Sequence, residues 1–144
     1  MRKCLVTLLS ATSFLVANES HAEYEPCNAT PTVTATAPPD PMADPVGPTN
    51  WYMNSERTIW AVHQRAYSTG GNKTYWVRPA GTDLLVSGYL VGSPAIKLRV
   101  TIPCCYITGF QIVGLHFEVA GCWQVSATAG DHQLEFVTEV LNHQ

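Results

Sequence analysis

The chain has 144 residues, of which 46% are hydrophobic and 13% charged, with a formal net charge of −3. That length suits one ordinary domain with a real core, and the apolar share argues against a disordered chain. A sequence pI of about 5.9 argues against nucleic-acid binding, which needs clustered Lys and Arg. No apolar run reaches the roughly 18 residues of a membrane span, so no transmembrane segment is expected in the mature chain.

Residues 1–22 read as a secretory signal. Arg2 and Lys3 form a positive n-region, Cys4 to Ala17 a short apolar region rich in Leu, Val and Phe, and Ser20-His21-Ala22 a small-residue cleavage site. Cys27 follows Tyr24-Glu25-Pro26, which is not the small or apolar context of a lipid-modified cysteine. The expected product is secreted or periplasmic and soluble after cleavage. It keeps Cys27, Cys104, Cys105 and Cys122, an even set that favours disulfides in an oxidising compartment and leaves three pairings open.

Residues 23–48 hold seven of the ten prolines, within runs of Thr and Ala. Proline fixes φ and removes a donor, so this arm is expected to be extended, either as a loose leader or as a strap over the domain. Residues 49–144 read as the folded domain. Seven strands are expected, at 58–64, 73–78, 83–91, 96–102, 110–118, 122–128 and 133–140. The fourth alternates without a fault, with Ile96, Leu98, Val100 and Ile102 on one side and Lys97, Arg99 and Thr101 on the other. Turn residues separate the strands at Gly70-Gly71, Pro79-Ala80-Gly81, Gly92-Ser93-Pro94 and Gly130-Asp131. No window shows a sustained helical period. The expected fold is all-β, an immunoglobulin-like antiparallel β-sandwich of about seven strands behind a Pro-rich arm. A small closed barrel is the alternative.

A corner motif sharpens this. Leu115-His116-Phe117, then three residues, then Gly121-Cys122-Trp123-Gln124-Val125 resembles the turn before the penultimate strand of immunoglobulin-like domains, where an aromatic braces the corner. Trp123 takes that position. Indole offers a donor and no acceptor, so it must brace by donating to a backbone carbonyl. Trp123 and Val125 are expected in the core beside Leu115, Phe117, Leu134 and Phe136.

From Trp51 onward the chain resembles a family of uncharacterised exported bacterial proteins, many of them lipoproteins. The resemblance rests on Phe110-Gln111-Ile112-Val113-Gly114-Leu115-His116-Phe117, on Gly121-Cys122-Trp123-Gln124-Val125, and on Gly130-Asp131 followed by Leu134-Glu135-Phe136-Val137. The chain departs at Tyr89, where the family has Arg, at Gln124, where it has an acid, and at Cys104-Cys105-Tyr106. The resemblance implies export and an immunoglobulin-like sandwich, and no activity. The family's two cysteines map to Cys27 and Cys122, which implies a bond between them. Cys122 would also point away from the inner core, within reach of the arm. The competing pattern joins Cys122 to Cys104 or Cys105 and gives the other to Cys27.

Chemistry-bearing patterns are sparse. His116-Phe117-Glu118 and Pro103-Cys104-Cys105 stand in the wrong order and spacing for a zinc deaminase. His116 and Glu118 share one strand face but lack further ligands, and the adjacent cysteines lack the Cys-x-x-Cys spacing of a redox pair. Gly92-Ser93-Pro94 is not a nucleophile elbow. No catalytic residue, metal or cofactor is therefore expected. The aromatic doublets Trp51-Tyr52 and Tyr75-Trp76 are candidate binding residues, because alternation turns one ring of each pair outward unless the arm covers it. Asn28-Ala29-Thr30 and Asn72-Lys73-Thr74 match the glycosylation sequon. The leading expectation is a non-enzymatic structural or binding module at the cell envelope, with an envelope protein or a glycan as partner. The alternatives are a carbohydrate-binding module using exposed Trp and Tyr, and a small enzyme whose site is assembled from scattered residues.

Overall fold

The computed structural model describes residues 26–35, 49–63, 66–104 and 106–143. The signal segment, most of the Pro-rich stretch, Cys4 and Cys105 lie outside the described residues. The strands are β1 (Val33–Ala35), β2 (Thr49–Met53), β3 (Trp60–Val62), β4 (Tyr67–Ser68), β5 (Gly70–Val77), β6 (Leu84–Leu90), β7 (Ser93–Lys97), β8 (Arg99–Thr101), β9 (Phe110–Phe117), β10 (Gly121–Ala129) and β11 (His132–Leu141). They form a six-stranded sheet, ordered β1-β2-β3-β5-β9-β8, and a five-stranded sheet, ordered β4-β11-β10-β6-β7. All pairings are antiparallel except that of β4 with β11.

This is an immunoglobulin-like topology. Strands β3, β5, β9 and β8 take the places of A, B, E and D, while β11, β10 and β6 take those of G, F and C. Each of the seven expected strands has a counterpart. The fourth divides at Leu98 into β7, at the edge of one sheet, and β8, at the edge of the other. Leu98 N–H donates to Gly88 O at 2.9 Å. The crossing needs the bare backbone of Gly88, since a Cβ there would meet Gln124 O at 2.6 Å and the Leu98 side chain at 3.1 Å. The alternation in the sequence survives because Ile96, Leu98, Val100 and Ile102 all pack on the same core from successive sheets.

The core between the sheets is built from alternate residues of each strand. Trp76, Phe117, Trp123, Tyr67, Phe136 and Tyr52 are its largest members, and all are almost fully buried. Trp76 Nε1 donates to Thr74 Oγ1 at 2.8 Å, and the Thr74 hydroxyl in turn donates to Val113 O at 2.9 Å, so this indole N–H is satisfied inside the core. The expected corner is present. Trp123 Nε1 donates to Val119 O at 3.1 Å, and the indole packs edge-on to Phe117 at 5.2 Å. Val125, Leu115, Leu134 and Phe136 surround it in the same buried cluster. Gly121 opens β10 with φ 139°, a backbone state that side chains disfavour.

A second, smaller cluster lies on the outer face of the six-stranded sheet. Trp51 and Trp60 pack edge to face at 6.0 Å, beside Val77. Their indoles donate to Ala35 O and Arg57 O, at 3.1 and 2.8 Å.

Candidate functional site

The cysteines define the first functional feature. Cys27 and Cys122 form a disulfide with Cα atoms 5.4 Å apart across 95 residues of sequence. Cys122 alternates with inward-facing Trp123, so its sulfur lies on the outer face of β10, where the chain's N-terminal stretch meets it. Thr30 then grips β11 twice. Its N–H donates to Val137 O, and its Oγ1 accepts from Val137 N–H, each at 2.9 Å. Three residues on, β1 pairs with β2, joining Val33 to Trp51 and Ala35 to Thr49. Residues 26–35 thus run from the face of one sheet, past β11, to the edge of the other, as a strap. Cys104 is also disulfide-bonded.

The four candidate aromatics do not share a face. Tyr52 and Trp76 point into the core, at 2% and 0% exposure, because alternation places them beside Ala61 and Thr74. Trp51 faces outward but is 4% exposed, packed with Trp60 and bonded to β1, so the strap covers it. Tyr75 alone of the four is exposed, at 40%. Of the two rings that alternation turns outward, one from each doublet, the strap covers Trp51 and leaves Tyr75 exposed.

That ring has neighbours the sequence reading missed. Tyr75 stacks on Phe110 at 5.8 Å, and Tyr106 meets Phe110 edge-on at 6.1 Å. Ile107, which follows Tyr106 in the chain, is 85% exposed. Along the same outer face, Tyr75 pairs with Ile112, Lys73 with Gly114 and Gly71 with His116. Thr101 and Arg99 of β8 flank Gly114 and His116 from the other side. The two glycines leave a shallow depression of about 350 Å³, lined by Lys73, Thr101, His116 and the strand backbones around them. Aromatic stack and polar depression thus form one strip.

Buried Arg78 fixes the loop that carries Tyr106 and Ile107. Its guanidinium donates to Tyr106 O at 2.7 Å, Thr108 O at 2.9 Å and Pro79 O at 3.1 Å, while its backbone N–H donates to Gly109 O. It makes no salt bridge among the described residues. Arg78 Nε is buried without a partner. Gln111 adds to the clamp by donating to Pro103 O at 3.1 Å.

Elsewhere, polar chemistry is structural. His63, Tyr52 and Tyr67 meet edge to face near the strap. Burial lowers the His63 pKa and raises that of Tyr52, against the hydrogen bond the phenol gives Thr138. The Tyr67 hydroxyl, driven further up by burial and then by Tyr52, donates to Val62 O at 2.8 Å. Glu118 pairs with Arg99 at 3.5 Å. No cluster of three metal-ligating side chains occurs among the described residues. The second sequon is closed to modification in the folded chain. Asn72 and Thr74 are buried, and the Asn72 amide donates to Ser68 O at 2.8 Å.

The fold and these sites define an immunoglobulin-like module with a disulfide-anchored N-terminal strap. Comparison with protein-family models and with curated proteins finds no match to the chain. No helix among the described residues is long and apolar enough to cross a membrane.

Proposed function

We propose that this chain is an exported module that acts by binding at the cell envelope, with the outer face of its six-stranded sheet as the working surface. The observation that carries the reading is the Cys27–Cys122 bond, which ties the segment just after the expected signal to the folded domain. Such a bond persists in oxidising compartments and is rare where glutathione keeps thiols reduced. The secretory pattern of residues 1–22 and the resemblance to exported bacterial proteins support the same compartment. The working face is favoured by its one outward aromatic strip, held to a loop that Arg78 keeps in place. Expression with the native leader tests the proposal. The expected result is an envelope or extracellular fraction containing a chain that begins near Glu23, with Cys27 and Cys122 unreactive to alkylating reagent until reduced. An intact Met1 in the cytosol, with both thiols alkylated at once, refutes it.

A further inference from the structure

We propose that the strap is an exchangeable element: the site it fills also takes the strap of a second copy of this chain, giving a reciprocally strapped, disulfide-linked dimer. The inference goes beyond the binding role above and does not depend on it. The acceptor site lies wholly on the body of the fold. It comprises Cys122 on β10, the backbone of Val137 on β11, and the edge of β2 with the Asn50 amide and the Trp51 indole. The strap brings Cys27, Thr30, Thr34 and Ala35 to these points in order. No strap residue belongs to the main core. The two sheets therefore pack around that core without it, and the site stands ready for either strap.

The occupant is known from what already sits there. Residues 26–35 carry no charged side chain, and the strap of a second copy presents the same thiol, hydroxyls and backbone groups in the same order. A reciprocal swap keeps every strap contact of the monomer and closes on itself as a two-fold dimer. The linker decides between them. β1 ends at Ala35 and β2 begins at Thr49, and these two residues face each other in the ladder. In a monomer, residues 36–48 must leave and return across one strand spacing, about 5 Å. Five of those residues are proline: Pro38, Pro39, Pro41, Pro45 and Pro48. Proline stiffens a chain toward extended forms rising about 3.1 Å per residue. Such a sequence resists tight closure, which lowers the effective concentration of the chain's own strap. Its reach of up to about 40 Å extends to a neighbouring copy. The disulfide then makes the choice permanent. Each bond forms from two thiols, which give two electrons and two protons to a disulfide oxidant such as oxidised glutathione, released as two thiols. Whether Cys27 meets its own Cys122 or that of the second copy is settled as the bond closes.

The test uses the mature chain beginning at Glu23, in light and heavy-isotope forms. The two are mixed in equal amounts while reduced, then reoxidised with glutathione over a range of protein concentrations. Mass spectrometry of the peptides joined through Cys27 and Cys122 is the readout. Monomers give only light–light and heavy–heavy pairs, whereas complete exchange gives about half mixed pairs. Mixed pairs should appear, rise with protein concentration and run with a dimer in size-exclusion chromatography. The combined changes Pro38→Ser, Pro39→Ser, Pro41→Ser, Pro45→Ser and Pro48→Ser should cut the mixed fraction several-fold at equal concentration. Limited proteolysis of the isolated dimer should find residues 26–35 protected as in the monomer. Two differently tagged chains expressed together in an oxidising compartment give the same comparison without refolding, with tag-to-tag dimers joined through Cys27 and Cys122 expected. Absence of mixed pairs and of tag-to-tag dimers, a mixed fraction unmoved by the Pro→Ser changes, or a dimer cleaved within residues 26–35, which marks thiols joined at random, overturns the proposal. Refolding involves no export, so its result and the localisation result are read separately.

Discussion

Cutting the strap free is the most direct test of how this fold is held. In the double variant Cys27→Ser/Cys122→Ser the loop closed by the bond, 95 residues, opens in the unfolded chain. Chain-entropy reasoning puts the lost stability at about 4.7 kcal/mol. For a domain of this size that corresponds to a fall in Tm on the order of 15–20 °C. A second effect is local. Once uncoupled, residues 26–35 are held by the two bonds between Thr30 and Val137, the short β1–β2 ladder and the Trp51 indole on Ala35. Each neutral hydrogen bond contributes about 1 kcal/mol net, whereas fixing each backbone residue costs about 1–2 kcal/mol. The strap should therefore detach below the global melt and uncover Trp51 and the flank of β11. Thermal unfolding followed by circular dichroism measures the first effect. Limited proteolysis with mass mapping measures the second, with new cleavage expected between Pro26 and Ala35. A loss of less than about 3 °C, with that segment still protected, would refute the reasoning.

Other outcomes follow from the same contacts. Trp123→Phe keeps the ring but removes the donor to Val119 O, and should cost about 1 kcal/mol, whereas Trp123→Ala should cost about 3–5 kcal/mol. Chemical denaturation of both variants separates the brace from the packing. Arg78→Met leaves the carbonyls of Tyr106 and Thr108 without their donor. The expected loss is about 2–3 kcal/mol, with faster hydrogen exchange confined to residues 103–109. Burial also holds Tyr67 neutral above the ordinary tyrosine value of 10.0, so the unfolded chain ionises first. Stability should be constant with respect to this group below about pH 10 and fall as pH rises further. Tyr67→Phe should flatten that alkaline fall in urea titrations at stepped pH. His63 acts in the opposite sense. Its pKa is lowered from 6.5 by burial, so its contribution is present above that value and is lost as pH falls below it.

Strand positions were legible because a half-buried strand writes itself into sequence with period two, and Ile96 to Ile102, Phe110 to Phe117 and Gly121 to Ala129 carry that pattern plainly. The Trp123 brace was legible because indole has one donor and a corner has a spare carbonyl. The Cys27–Cys122 pairing came from resemblance together with the outward side of β10. Periodicity does not say which sheet a strand joins. Both sheets face one core, so the alternation through Leu98 is the same whether the chain stays in a sheet or crosses between them, and the space above Gly88 decides. Short strands such as β1 and β4 carry too few residues for a pattern and exist because longer neighbours offer them a ladder.

The candidate surface was the least legible part. Alternation places one ring of each doublet outward, but exposure depends on what lies above it, and Trp51 is covered where Tyr75 is not. The residues around Tyr75 on that face, Phe110, Tyr106, Gly114 and Thr101, come from β9, its preceding loop and β8, 26 to 39 residues away in sequence. They meet only once the register of β5 against β9 is set, pairing Lys73 with Gly114 and Tyr75 with Ile112. Pattern along the chain is local and fixes which side of a strand a residue occupies. Register is a long-range property, set by packing both sheets at once, and it alone decides which outward residues become neighbours.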